Sequence, residues 1–206
     1  MSLKTPIVNV SQSHAPIYTI GYGKRTIDEF IGILLEYDIK FLIDVRSYPY
    51  SKYKPDFSRE LLKITLKSSG IKYVFMGNTL GGRPEDGSCY TDDKVDYEKT
   101  KTKSFYKEGI ARLKTAWEKQ LTVALMCSEG KPHECHRTKL ISETLCKLGI
   151  STLHIDEIGK IKTQDEVMSQ IMSGQLSLIG FLPDVLTSRK KYFPNERNSR
   201  ARRNSI

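Results

Sequence analysis

The chain is predicted to adopt an α/β fold, a mostly parallel sheet of about five strands with helices on both faces, three layers in all. Three observations carry this prediction. Five short apolar runs, "IYTIGYG", "KFLIDV", "IKYVFM", "LTVALMC" and "ISTLHID", are separated by longer stretches with helical periodicity. Several of these runs are almost continuously apolar, as strands covered on both faces must be. Three helix-to-strand joints, "YDIKFLI", "SGIKYVF" and "LGISTLHI", look alike, and short repeated joints imply parallel strands linked by right-handed crossovers.

Taken in order, "TIDEFIGILLEYDI" carries a capping box, Thr26 to Glu29, that satisfies orphan N–H groups at a helix start. Ile27, Phe30, Ile31, Leu34 and Leu35 are expected on its buried face. "SRELLKITLKSSG" reads as a helix closed at Gly70, and "CHRTKLISETLCKLG" as one closed at Gly149. Between them, Ser104 to Gln120 places Tyr106, Ile110, Leu113 and Trp117 at helical spacing. A second capping box, Thr163 to Glu166, starts a helix to about Met172. Met76 to Lys103 shows no clear period and reads as a long loop, and the segment from Gln175 on is ambiguous.

Composition narrows the class. The 206 residues, 28% charged and 38% hydrophobic, suit one well-filled domain, with no apolar run long enough to span a bilayer. Four irregularly spaced cysteines and the lack of an apolar leader imply reduced thiols in the cytoplasm. Of the net charge of +9, most lies after Thr187, in "SRKKYFPNERNSRARRNSI". The expected organisation is an N-terminal extension over 1–16, an α/β domain over 17–175 and a C-terminal extension over 176–206 ending in a basic, flexible tail. Such a tail attracts polyanions without reading sequence, so nucleic acid is one expected partner; a solvated tail is the plainer reading.

In open α/β sheets, ligands sit beyond the carboxyl ends of the strands. Gly21 and Gly23 follow the first strand, Asp44 and Arg46 the second, Gly82 and Arg83 the third, and "CSEGKPHECHR" the fourth. His154 lies near the end of the fifth. Arg137, one turn before Leu140 and Ile141 on the same helix face, is aimed back toward this rim. Arg46, Arg83 and Arg137 then make a cluster for a phosphate or carboxylate; the competing reading pairs each with Asp44, Glu129 or Asp156. Glu129 and His136 are the candidate acid and base.

Cysteine chemistry is less favoured. Six residues on from Cys89, Cys127, Cys135 and Cys146 stand Val95, His133, Ile141 and Thr152, so no Cys-x5-Arg anion loop exists. Cys135, near a helix start, is a weak candidate thiolate, whereas Cys127 is assigned to packing and Cys146 to a polar helix face. The Cys-x7-Cys-His spacing lacks the close ligand pairs of structural zinc, so no metal ligands are assigned. A catalytic metal completed by Glu129 or His154 is left open. The residues name no cofactor.

The motifs "TIGYGKRTIDEFIGIL", "LIDVRSYPYSKYKPDF", "GIKYVFMGNTLGGRP" and "ALMCSEGKPHECHRTKLISETL", followed by "LHI", resemble the DUF488 family, a domain of unknown function, over roughly 17–155. The resemblance implies a Rossmann-like α/β domain. Its recurring polar positions fall here on Gly21, Gly23, Asp44, Arg46, Ser51, Gly81, Gly82, Cys127, Glu129, Cys135, His136, Arg137 and His154. It implies no reaction. One departure is that Tyr48 and Tyr50 flank Pro49 in "DVRSYPYSKY", which alters the rim. The expected function is an enzyme-like pocket for an anionic small molecule or nucleotide. The alternatives are a nucleic-acid-binding module using the basic tail and a metal-dependent hydrolase.

Overall fold

The computed structural model describes residues 14–173 and 187–192. Expectations on 1–13, 174–186 and 193–206, including most of both extensions, lie outside the described residues. The five expected strands are present as β1 (Ile17–Gly21), β2 (Phe41–Asp44), β3 (Lys72–Phe75), β6 (Val123–Cys127) and β7 (Thr152–Ile155). All pair in parallel, and a short sixth strand, β8 (Ile161–Thr163), adds antiparallel to β7. The order across the sheet is β3-β2-β6-β1-β7-β8. This is a mixed α/β architecture with helices on both sides, compatible with a Rossmann-like three-layer fold. The edge strand escaped sequence reading because it has three residues and is set by a turn. Gly159 there has φ +88 and the Asp156 N–H donates to the Lys160 carbonyl.

Strand alternation divides the core into two apolar layers. Leu42, Ala124 and Met126 face α1 (Ile27–Glu36) and α2 (Arg59–Ser68), where Phe30, Leu34, Leu62 and Leu66 are buried. Ile43, Val45, Leu125 and Cys127 face the opposite layer, with α3 (Gly77–Leu80), α5 (Ser104–Glu118) and α6 (Glu143–Lys147). The Thr26–Glu29 capping box forms at α1, and the Thr163–Glu166 pair caps α7 (Gln164–Ser173) in the same way. Leu35 is a correction: at 53% exposed it lies beyond the edge of the buried stripe of α1.

Met76–Lys103 is also corrected. It holds α3, a two-stranded hairpin of β4 (Tyr90–Thr91) and β5 (Lys94–Val95), and α4 (Tyr97–Lys101). Asp92 and Asp93, both with positive φ, make the two-residue hairpin turn. No helical or strand period shows because each element is at most five residues long.

The helix after β6 begins as a π-helical turn, Arg137–Ser142, and continues as α6. A π turn widens the helix and leaves its backbone hydrogen bonds less regular, and such turns gather at functional sites. Here the buried Tyr106 hydroxyl donates to the Leu140 carbonyl at 3.0 Å and meets Thr144 Oγ1 at 2.9 Å. Tyr106→Phe is expected to lower unfolding free energy by about 1 kcal/mol, read as a shifted urea midpoint with an unchanged slope.

Candidate functional site

β6 lies between β1 and β2, so the ends of these three strands form one ledge. Its pairing continues past the strands. Tyr22 N–H donates to the Cys127 carbonyl, Gly23 N–H to that of Ser128, and Val45 N–H to that of Met126. The loop Ser128–Glu134 is therefore held in register with the residues after β1.

Arg137 holds the same loop from below. It has no exposed surface, and its Nη1 and Nη2 donate to the carbonyls of Glu129 (2.6 Å) and Gly130 (3.0 Å). Gly21 leaves the necessary space, since a Cβ there would overlap the Glu129 carbonyl oxygen. Gly23, with φ +47, passes close to Gly130 and has the backbone geometry that favours glycine. Arg25, which sequence reading passed over, is buried beside them, with Nη1 on the Gly21 carbonyl at 2.5 Å and Nη2 on that of Asp156.

On this base stands a compact polar cluster. The Cys127 thiol donates to Glu129 Oε2 at 2.9 Å, and Cys135 Sγ is 3.7 Å from the same oxygen. His136 Nδ1 lies 3.8 Å from Cys127 Sγ and 3.7 Å from Cys135 Sγ, while its Nε2 meets the Val45 carbonyl at 3.2 Å. Gly82 packs on the imidazole; a Cβ there would come within 2.8 Å of the ring. The thiol–carboxylate hydrogen bond and the charge of His136 outweigh burial and hold the Glu129 carboxyl down to about 2. Burial opposes charging His136, but Cys127 and Glu129 raise its pKa. The hydrogen bond with Cys135, then burial, keeps Cys127 a thiol. Glu129 is thus an ionised acceptor beside a histidine disposed to carry a proton.

Above the cluster opens a cavity of about 880 Å³, whose walls include Tyr22, Arg46, Gly82, Arg83, Tyr97, Glu129, Cys135 and His136. Arg46 is 5% exposed and clamped by Asp44, with Nε on Oδ1 at 2.9 Å and Nη2 on Oδ2 at 2.6 Å. Tyr73 fixes Asp44 from the other side through a 2.7 Å hydrogen bond. Arg46 Nη1 is buried and has no hydrogen-bond partner among the described residues. Arg83 lies 4.2 Å above the Tyr192 ring, and its N–H donates to Ser47 Oγ. The segment 187–192 packs on the hairpin through Ser188 N–H to the Val95 carbonyl and Tyr192 N–H to that of Asp93, and it supplies a further wall of the cavity.

The predicted residues therefore separate into two groups. Arg46, Gly82, Arg83, Glu129, Cys135 and His136 line the cavity. Gly21, Gly23, Asp44, Arg137 and His154 are not among its lining residues; they shape or support what lines it. Arg137, placed from sequence with the anion-binding arginines, has turned its donors to the loop's own backbone. Tyr22, Tyr97 and residues 188–192 were not singled out for the site. Of these, only the charge of "SRKKY" gave a signal.

Residues 26–144, more than half of the chain, match a family described as domain of unknown function DUF488. The chain belongs to the DUF488 family. No curated protein and no solved structure matches it. The DUF488 match takes in every cavity-lining residue predicted from sequence, while Gly21, Gly23 and His154 fall outside it. No helix among the described residues is long and apolar enough to cross a membrane.

Two predictions come from the supports of this DUF488 site. Arg137→Met orphans two carbonyls and is expected to cost on the order of 3 kcal/mol of unfolding free energy, measured by urea denaturation. Native stability together with lost ligand binding would instead make Arg137 a ligand contact. His154, fully buried, lies between Thr19 Oγ1 (2.8 Å) and Gln164 Oε1 (2.7 Å). Burial, aided by the charge of Arg137 and opposed by Gln164, lowers its pKa to about 4. The unfolded chain, with histidine near 6.5, binds the proton first, so acidification from about pH 6.5 to 4 removes about 3 kcal/mol of stability. His154→Gln is expected to flatten the thermal midpoint across that window; an unchanged slope would exclude this residue as its source.

Proposed function

We propose that the DUF488 cavity is an enzyme-like pocket for an anionic ligand of phosphate or nucleotide type. The single observation that carries this reading is the guanidinium of Arg46. It is buried, fixed in orientation by Asp44 and Tyr73, and its Nη1 amino group has no hydrogen-bond partner among the described residues, while the side chain contributes to the cavity lining. An unsatisfied buried donor is costly, and a ligand oxygen is the partner that relieves it. Arg83 supplies a second fork of donors across the opening. The lining as a whole carries five Lys or Arg side chains against Glu129 and Glu134.

Six tyrosines on the same walls point to a ligand with a flat ring as well as a charge. Tyr22 is held in place by stacking on Phe57 at 4.3 Å, and the Arg46 guanidinium lies 5.4 Å from the Tyr22 ring centre. The cavity's volume is in the range of nucleotide-sized pockets. At its floor, His136, whose pKa is raised, is the candidate proton donor, and Glu129, held ionised, is a hydrogen-bond acceptor for the bound ligand.

A second reading, binding of a single-stranded nucleic acid, is favoured by Arg189 and Lys190 on the wall beside the tyrosines. The two differ in salt response. A strand tracked by several lysines and arginines loses affinity steeply as salt rises, whereas a mononucleotide held by two arginines loses little.

The test is calorimetric titration with AMP, ADP and inorganic phosphate. Arg83→Ala, which removes no buried ion pair, is expected to weaken ADP binding about tenfold, and Arg46→Lys more, since one ammonium cannot reproduce a planar fork. A folded Arg83→Ala chain with unchanged affinity for all three would sink the anion-pocket reading.

A further inference from the structure

We infer that Cys127, Cys135 and His136 form a site for one divalent transition-metal ion of the zinc class, set in the floor of the cavity. The two sulfur atoms and the nearer imidazole nitrogen all lie within 4.8 Å of one another, and Cys127 and Cys135 are buried with His136 partly so. The two sulfur-to-Nδ1 distances are 3.8 and 3.7 Å. Tetrahedral coordination with Zn–S of about 2.3 Å and Zn–N of about 2.0 Å requires a sulfur-to-nitrogen separation of about 3.5 Å. Both sulfur-to-nitrogen edges meet this requirement within a few tenths of an ångström, and the sulfur-to-sulfur edge is no longer than 4.8 Å.

The histidine is prepared for this role. Its Nε2, 3.2 Å from the Val45 carbonyl, has only an acceptor to meet and so carries a proton. In the neutral ring that leaves the lone pair on Nδ1, the atom facing both sulfurs. A metal-bound histidine characteristically donates its other N–H to a carbonyl or carboxylate, which fixes tautomer and orientation. The ring lies against Gly82, where a Cβ would come within 2.8 Å of it. Cys127 sits at the end of a central strand, and the turn Pro132–Glu134 sets Cys135 beside it. The ligands therefore stand on backbone fixed by the sheet and by Arg137.

The donor set also selects the ion. Two thiolates and an imidazole suit zinc and its neighbours, not magnesium or calcium, which take oxygen ligands. Binding releases the two thiol protons, and the two thiolate charges balance those of the dication. Three protein ligands leave the fourth position toward the cavity, which they also line. The site does not depend on the anion reading, because it is defined by protein ligands alone.

The experiment uses the full reduced chain, stripped with a chelator and titrated with cobalt(II), then with zinc. The expected result is one equivalent of cobalt with intense visible bands of tetrahedral geometry and sulfur-to-cobalt charge transfer, abolished by zinc. Cys127→Ser/Cys135→Ser should lose these bands, and Cys146→Ser should keep them. In the unmutated chain, zinc should slow alkylation of Cys127 and Cys135 and leave exposed Cys146 at its original rate, a readout that stands even if the double variant fails to fold. No tetrahedral cobalt spectrum from the folded chain, identical bands in the double variant, or no selective protection would overturn the site. Arg83→Ala should bind cobalt like the unmutated chain, so loss of phosphate binding there leaves the metal inference intact.

Discussion

Leaving a buried guanidinium N–H without an acceptor is costly, and Arg137, with no access to water, gives Nη1 and Nη2 to the carbonyls of Glu129 and Gly130, while its Nε has no partner among the described residues. This one placement sets the path of the loop after β6. The loop in turn sets where Glu129 meets Cys127, where Cys135 comes to rest, and how far His136 stands from both sulfurs. Gly21 belongs to the same constraint, because any side chain there would displace the carbonyl that Arg137 holds. The polar cluster is thus an outcome of backbone anchoring and not of affinity between its own side chains. That distinction matters because two thiols, a carboxylate and an imidazole have little reason to gather unaided.

The electrostatics of the floor follow from crowding in a buried place. Burial raises the cost of ionising Glu129, yet donors around it reverse the balance and keep it charged. Cys127, whose thiol is one of those donors, is driven the other way. His136 lies between the two and is lifted by both. Protons here belong to the group as a whole, so substituting one member redistributes them among the rest.

The scaffold was more legible in sequence than the site. The parallel strands were readable because burial on both faces demands apolar runs, and α1 and α7 because capping boxes announce themselves in four residues. The hairpin and α3 left no such trace; they persist through contacts such as Leu80 against Gly109 and the burial of Val95 and Tyr97. The direction of Arg137 was readable from its helix face, but its partner was not, since backbone carbonyls carry no sequence signature. Counting residues between Cys127 and Cys135 separated them, whereas a single 3₁₀ turn folds that distance away. The wall from 187–192 left only its charge as a signal: backbone bonds and the Ser188 hydroxyl join it to Val95 and Asp93, with Tyr192 under Arg83 and Arg189 on Glu134.

That wall bears on the order in which the molecule is completed. The chain is made from its N-terminus, and every strand of the central sheet precedes residue 164. The ledge and its Cys–Glu–His floor can therefore form while Ser188, Arg189 and Tyr192 are still unmade. The cavity acquires this side last, when a short stretch seals itself along β5 by a bridge from Thr187 to Asp96. The hydrogen bonds of the floor join Val45, Cys127, Glu129, Cys135 and His136, so this late segment shapes a side of the pocket and leaves its floor unchanged.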